Sequence, residues 1–271
     1  MGYLPCLNTS TIRPASLVDK IDAAAGAGFR AVELWNDDLL AFLATGGTMD
    51  EVCGRLAGHG LVVPSMIAIM GFVGNEEPGR SERLGEARRR MEQARALEAP
   101  FIVASPPLGR ADLSRCGEDY AELLDLGREI GIRPAMEFLG FVEQVNDIRT
   151  CREIMERSGD PTATIVIDWF HMVRGDGRET MFEDLRALRG EQIAIVHLDD
   201  VPYRKPFGEM TDGDRVYPGD GEIPLDALFS ALEETGYRGP VSLELFSEEL
   251  WAQDPHAVAK TGFQKSRRWF M

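Results

Sequence analysis

Four side chains that could bind a metal ion follow four separate apolar runs in the second half of the 271-residue chain. Each run is typical of a buried strand, and the polar residue stands at its carboxyl end. The four residues are Glu137, Asp168, His197 and Glu244. Three carboxylates and one imidazole suit a hard to borderline divalent ion such as Mn²⁺, Mg²⁺, Co²⁺ or Zn²⁺. The pattern therefore indicates a site for one divalent metal ion.

Each of these residues also has an ordinary structural interpretation. A single Glu or Asp at a strand end is more often a helix cap or an ion-pair partner. A single histidine after Ile-Val is more often a hydrogen-bonded core residue. The set of four is harder to explain in that way, because buried carboxylates without a cation cost free energy. We therefore interpret the four as one set of metal ligands.

Four further residues lie near these ligands in sequence or end another apolar run, and could contact a substrate: Trp35, Glu143, His171 and Arg215. Arg215 begins an Arg-Val-Tyr-Pro-Gly-Asp-Gly turn, where its cation could hold a substrate oxygen. The alternative for Arg215 is a structural pair with Asp212 or Asp214. Trp35 could line a pocket or simply pack in the core.

Eight strand-like runs alternate with helical segments and recur about every thirty residues, which is the length of one βα unit. The runs are Tyr3–Asn8, Ala31–Trp35, Leu61–Ile69, Phe101–Ser105, Arg133–Leu139, Ala163–Asp168, Ile193–Leu198 and Val241–Phe246. Such alternation predicts a parallel sheet covered by helices, and eight units predict one (β/α)8 TIM barrel over residues 1–271. A doubly wound open sheet is the alternative, but the first strand-to-helix turn has no GxGxxG pattern.

A closed barrel would position the candidate ligands. The carboxyl ends of parallel barrel strands meet on one face, where active sites of this fold lie. Glu137, Asp168, His197 and Glu244 end the fifth to eighth runs, and neighbouring strands lie about 4.8 Å apart. Four consecutive strand ends could therefore surround one cation.

The composition excludes several classes of partner. The formal net charge is −16, and this field repels phosphate backbones and anionic lipids. The four cysteines are scattered without CxxC spacing, so neither a disulfide framework nor a structural zinc site is expected. The N-terminal residues show no signal-peptide pattern, and no window approaches the roughly 18 apolar residues of a spanning helix. These features favour a cytoplasmic protein that binds neither nucleic acid nor membranes, and they do not identify its partner.

The motifs around the candidate ligands resemble those of the xylose isomerase-like barrels, a sugar isomerase/epimerase superfamily that also contains endonuclease IV. The matching motifs are Met136-Glu-Phe-Leu-Gly140, Asp168-Trp-Phe-His171, His197-Leu-Asp-Asp200, Arg215-Val-Tyr-Pro-Gly-Asp-Gly221 and Ser242-Leu-Glu-Leu-Phe246. Their order agrees over nearly the whole chain. Within the superfamily, the last third of the chain is similar in particular to inosose isomerases, the 2-keto-myo-inositol isomerases of inositol catabolism.

The resemblance implies a role for each candidate residue. Glu137, Asp168, His197 and Glu244 match the ligands of one divalent metal ion, with Mn²⁺ or Zn²⁺ expected first. Glu137 and Glu244 also match the acid/base pair. Three further positions match residues that hold the substrate or lie behind the ligands: Glu143, His171 and Arg215. Relatives often pair as homodimers, so both a monomer and a homodimer are open.

The implied activity is isomerisation of a sugar or ketopolyol by proton transfer through a metal-stabilised enediolate. The same site also suits a ketose 3-epimerase or a hydroxypyruvate isomerase. Expulsion of a β-hydroxyl would instead make an inosose or 3-dehydroshikimate dehydratase. A non-catalytic sugar-binding barrel is the alternative outside enzymes. A role in DNA repair is not expected, because the chain has only four histidines and is strongly acidic.

Overall fold

The structure, a computed structural model, describes residues 2–75 and 79–271. In this part of the chain, eight parallel strands close into a barrel in which each strand pairs with the next and β1 pairs with β8. The strands are β1 Leu4–Asn8, β2 Ala31–Trp35, β3 Ser65–Met70, β4 Phe101–Ser105, β5 Arg133–Met136, β6 Thr164–Asp168, β7 Ile193–Leu198 and β8 Pro240–Leu243. The (β/α)8 barrel predicted from the alternation of elements is confirmed.

Helices surround this barrel. They are α1 Leu17–Ala27, α2 Asn36–Ala44, α3 Met49–His59, α4 Arg80–Ala96, α5 Cys116–Ile130, α6 Ile148–Ser158, α7 Trp169–Arg174, α8 Met181–Arg186, α9 Leu225–Glu234, α10 Glu248–Trp251 and α11 Pro255–Phe270. Across residues 2–75 and 79–271, no helix combines the length and the apolar character needed to cross a bilayer.

Two elements differ most from the sequence prediction, and β5 and β8 also end earlier than predicted, at Met136 and Leu243. The helix α2 is not predicted; it follows β2 directly and has acidic residues in its first turn but no side-chain hydrogen bond at its N-cap. The third strand begins at Ser65 rather than at Leu61. Pro64 has no N–H to donate to a ladder, and Val62 forms only an isolated bridge with Ala31.

The strands separate two buried apolar regions because successive side chains point to opposite faces. One face packs against the helices and forms the large core. The other face contributes a smaller cluster, drawn from β3 to β7, that fills the inside of the barrel. Its members are Ile67, Ala68, Val103, Ala135, Val166, Ala194 and Ile195, and Trp35 packs against it. The barrel is therefore a filled cylinder, and chemistry is confined to its ends.

Candidate metal centre

The four predicted ligands lie together at the carboxyl ends of the last four strands. Asp168 is the last residue of β6, and the strand register pairs it with His197 on β7. Glu137 follows β5 directly, and Glu244 follows β8 directly. The backbone N–H of Glu244 donates to the carbonyl of Leu198 at 3.0 Å, which continues the β7–β8 ladder past the end of the strand. Because consecutive strands are neighbours in the barrel, ligands that are about thirty residues apart in sequence lie next to one another.

All three carboxylates face a single nitrogen, Nδ1 of His197. This atom lies 3.4 Å from Oε1 of Glu137, 3.6 Å from Oδ2 of Asp168 and 3.2 Å from Oε2 of Glu244. Ligand atoms of Glu137, Asp168 and His197 lie within 4.8 Å of one another. All four residues are buried, and Nδ1 has no hydrogen-bond partner in the described part of the chain. Glu137, Asp168 and His197 therefore fit a divalent cation, which would satisfy the ring nitrogen and the carboxylates together. Glu244 is not in this group of three, but its Oε2 approaches the same nitrogen.

The electrostatic field at this point favours positive charge. Burial alone would lower the pKa of His197, but Glu244 and Glu33 outweigh it and hold that pKa well above its usual value. Burial raises the pKa of Glu244 to about 7, against the opposing effects of His197 and Arg215. A divalent cation would satisfy the same carboxylates without a proton. The electrostatics and the geometry therefore favour the same kind of ligand.

Arg215 lies against the ligands in the interior. Its Nη1 donates to Asp168 and Asp199 at 2.8 Å each and to Glu244 at 3.0 Å. Its Nη2 donates to Asp212 at 2.7 Å, so the structural pair that the sequence allowed is present as well. The side chain is only 1% exposed. Because these carboxylates fix the guanidinium, it presents a preorganised positive charge at the edge of the metal centre.

His171 lies beside Arg215 and is also buried. Its Nε2 is 3.3 Å from Nη2 of Arg215, and its backbone N–H donates to Oδ1 of Asp168 at 2.8 Å. The rings of Phe141 and Phe170 pack against its imidazole. Burial lowers the pKa of His171, so the neutral ring is favoured. The structure thus brings His171 next to the candidate ligands.

Trp35 and Glu143 occupy different environments. Trp35 is half-buried, donates from Nε1 to Oδ1 of Asn8 at 3.0 Å, and meets the ring of Phe246 edge to face. It therefore lies at the edge of the same centre. The side chain of Glu143 is 65% exposed and lies 4.0 Å from Arg110. The structure does not bring Glu143 into the cluster.

Four buried polar residues that are not predicted from the sequence contact the predicted set: Asn8, Glu33, Ser105 and Asp199. The hydroxyl of Ser105 donates to Oε2 of Glu137 at 2.7 Å, and Nδ2 of Asn8 donates to Oε1 of Glu244 at 2.9 Å. Asn8 and Ser105 end predicted strands and Asp199 directly follows one, so their position could also have marked them as candidates. Glu33 is instead the middle residue of its strand.

The glycine-rich turn between β7 and β8 is closed by the carboxylate of Asp200. Its Oδ2 accepts from the backbone N–H groups of Gly219 and Gly221 at 2.9 and 3.0 Å. Its Oδ1 accepts from those of Val201 and Ile223 at 2.9 Å each. Gly219 has a φ of +89°, and a Cβ on Gly221 would lie 2.3 Å from Oδ1 of Asp200. The turn thus requires both glycines and the carboxylate.

Replacing Asp200 by asparagine is expected to destabilise this turn. The amide nitrogen would face backbone groups that can only donate, so at least one hydrogen bond is lost. We expect the free energy of unfolding to fall by about 1–3 kcal/mol, measured by differential scanning calorimetry. Asp220→Asn is the matched control, because Asp220 is in the same turn but pairs with Lys265 at the surface. Equal melting temperatures for the two variants would contradict this role of Asp200.

The comparisons with known proteins agree with this geometry. Residues 21–270 match the family described as the xylose isomerase-like TIM barrel. The chain is 30% identical over 264 residues to an inosose isomerase of Halalkalibacterium halodurans, covering 94% of this chain and 92% of that protein. It is 27% identical over 255 residues to a 3-dehydroshikimate dehydratase of Pseudomonas aeruginosa, covering 92% of this chain and 39% of that protein. The solved structure of the IolI protein with a bound zinc atom is similar with a TM-score of 0.89 and 27% identity, covering 100% of this chain and 98% of that one.

Proposed function

Because the chain belongs to the xylose isomerase-like TIM barrel family, we propose that it is a divalent-metal-dependent isomerase of ketopolyols, with a ketocyclitol such as 2-keto-myo-inositol as substrate. Its relatives include an inosose isomerase, a 2-oxo-tetronate isomerase and a ketose 3-epimerase, which indicates an enzyme of the isomerase/epimerase type. The observation that carries the proposal is the convergence of three buried carboxylates on Nδ1 of His197. We place the enzyme in carbohydrate metabolism, in the breakdown of inositol, and in the cytoplasm.

The proposed metal ligands are Glu137, Asp168, His197 and Glu244. When bound, the ion supplies Lewis-acid polarisation of the substrate ketone, which makes the neighbouring C–H more acidic. The zinc atom of the related IolI structure supports Zn²⁺, and the ligand set also suits Mn²⁺, with Mg²⁺ or Co²⁺ as further candidates.

The proton is moved by the two glutamates. Glu137 has Oε2 held by Ser105, and Glu244 has Oε1 held by Asn8, so each has one fixed oxygen and a second oxygen toward the centre. One carboxylate removes the proton next to the ketone, and either carboxylate returns a proton. Return to the former carbonyl carbon gives the isomer, with the hydroxyl proton passing from the original carbinol oxygen to the former carbonyl oxygen. Return to the opposite face of the original carbon gives the epimer.

The residues around the glutamates hold the substrate. Arg215 offers a fixed positive charge to the oxygen that becomes negative when the proton leaves. His171 lies beside it as a neutral ring, and Trp35 forms a wall at the edge of the centre. Glu143 is exposed, and its contact with substrate stays a prediction, as does the homodimer.

Dehydration is the second candidate function. The similarity to a 3-dehydroshikimate dehydratase extends over 92% of this chain. Removal of the same proton, followed by loss of a β-hydroxyl as water, would need no change in the ligand set. The two reactions therefore differ in the fate of a hydroxyl rather than in their first step.

Incubation of the metal-loaded enzyme with 2-keto-myo-inositol in deuterated water distinguishes these functions. Isomerisation is expected to give a product with the mass of the substrate, apart from deuterium taken up from solvent. Mass spectrometry and NMR of the product measure both quantities. Loss of one water, from this substrate or from 3-dehydroshikimate in a parallel reaction, would identify a dehydratase. Stabilisation by the ketopolyol without turnover or deuterium exchange would identify a non-catalytic binding protein.

A further inference from the structure

We infer that Glu33 is a positioning residue of the metal centre. Its buried carboxylate holds the Nε2 side of His197, so that Nδ1 is turned toward the three ligand carboxylates. The inference rests on the proposed function, because it concerns the same metal site. It adds a residue on β2, on the side of the barrel that supplies none of the four proposed ligands.

The contact between Glu33 and His197 determines which nitrogen of the neutral imidazole carries the proton. Oε2 of Glu33 lies 3.1 Å from Nε2 of His197, and Oε1 lies 3.3 Å from it. Both side chains are fully buried. An ionised carboxylate only accepts hydrogen bonds, so Nε2 must donate. In the neutral ring the lone pair is then on Nδ1, which is the nitrogen that faces the other carboxylates.

Besides His197, the carboxylate of Glu33 contacts two hydrogen-bond donors that carry no charge. Its Oε2 also accepts from Nδ2 of Asn8 and from the hydroxyl of Ser242, at 2.9 Å each. Both of these donors are neutral. Within residues 2–75 and 79–271, no Lys or Arg side chain pairs with Glu33. Burial of a carboxylate is costly, and a cation bound through His197, the remaining partner of Glu33, would offset that cost.

Asn8 connects Glu33 to one of the proposed acid/base residues. Its Nδ2 donates to Oε2 of Glu33 and to Oε1 of Glu244. Its Oδ1 accepts from Nε1 of Trp35 at 3.0 Å and from the backbone N–H of Ser10 at 2.9 Å. These two donors fix the orientation of the amide, so the nitrogen must face the carboxylates. One hydrogen-bonded unit from β1 and β2 therefore orients ligands on β7 and β8.

The test compares the zinc affinity of the full chain with that of Glu33→Gln, measured at fixed pH by competition with a chromophoric chelator. Glutamine has the same shape and can still accept from Nε2, so packing is kept while the charge is lost. We expect the affinity to fall by about 10- to 100-fold, with little change in the melting temperature of the metal-free protein. Glu129→Gln is the matched control, an exposed glutamate on α5, and is expected to bind zinc as the wild type does.

Ser242→Ala provides a second variant if Glu33→Gln does not fold. It removes one hydrogen bond to Glu33 and is expected to weaken zinc binding by about two- to fivefold. Unchanged zinc affinity in a folded Glu33→Gln, or in Ser242→Ala when the former does not fold, would overturn the inference and leave the proposed function intact. A wild-type protein that binds no divalent ion would overturn the proposed function, and the inference with it.

Discussion

Replacing Glu244 by glutamine is expected to lower kcat for ketopolyol isomerisation by at least about 10²–10⁴-fold. Oε2 of Glu244 faces Nδ1 of His197 at 3.2 Å and accepts from Arg215 at 3.0 Å, so it belongs to both the metal site and the substrate site. The amide cannot accept a proton from carbon, and it is a poorer ligand than a carboxylate. Steady-state kinetics on 2-keto-myo-inositol, with the bound metal quantified in each preparation, measures the effect.

A glutamate on the outer surface supplies the control for this substitution. Glu129 on α5 pairs with Arg88 at 2.8 Å, and exposed pairs of this kind contribute little. Glu129→Gln is therefore expected to keep kcat within about twofold of the wild type. A Glu244→Gln enzyme that keeps its metal but loses turnover would separate the acid/base role from the ligand role. Near-normal turnover of that variant would remove Glu244 from the mechanism.

Removal of divalent ions is expected to abolish turnover and to lower the melting temperature. A ligand that binds only the folded state stabilises it by about 2.7 kcal/mol when present at a hundred times its dissociation constant. The effect should be large here, because metal removal leaves three buried carboxylates around Nδ1 of His197 without the divalent charge. Activity and calorimetry before and after treatment with a chelator measure both changes. Addition of Zn²⁺ or Mn²⁺ is expected to restore both the activity and the melting temperature.

Two histidine variants show whether the stabilising ion is at the proposed site. His197→Ala is expected to melt at the same temperature with and without added zinc. His59→Ala is the control, because His59 is at the end of α3 and pairs with Asp22 at the surface. This variant should keep the full stabilisation by zinc. Turnover that survives complete removal of divalent ions would disprove the metal-dependent mechanism.

Most of the barrel could be predicted from the sequence because its signals are local. Alternating apolar runs and helical segments identify βα units, and all eight strands were found within a few residues of their observed bounds. The polar residues that end these runs also led to Glu137, Asp168, His197 and Glu244, which the structure brings together. The helix α2 is not predicted, because it begins directly after β2 and has no capping side chain to mark its start.

The rest of the site could not be predicted because it depends on contacts between distant strands. Glu33 is a single carboxylate within an apolar strand, and nothing near it in sequence indicates that it meets His197, 164 residues away. Asp199 directly follows a predicted strand, but its position in the sequence does not show that it is fully buried against Arg215. Glu143 is a different case. It follows Glu137 by six residues in sequence, but its side chain is exposed, and its contact with substrate stays a prediction.

The pairing of β1 with β8 has a consequence for the order of events during synthesis. Asn8 is synthesised 236 residues before its hydrogen-bond acceptor Glu244. Until β8 is made, Asn8 and Glu33 lack Glu244 and Ser242. A nascent chain that ends before Pro240 has already synthesised Glu137, Asp168 and His197, but it still lacks the strand that closes the cylinder. The proposed metal centre is therefore completed in one late step, when β8 pairs with β1 and closes the barrel.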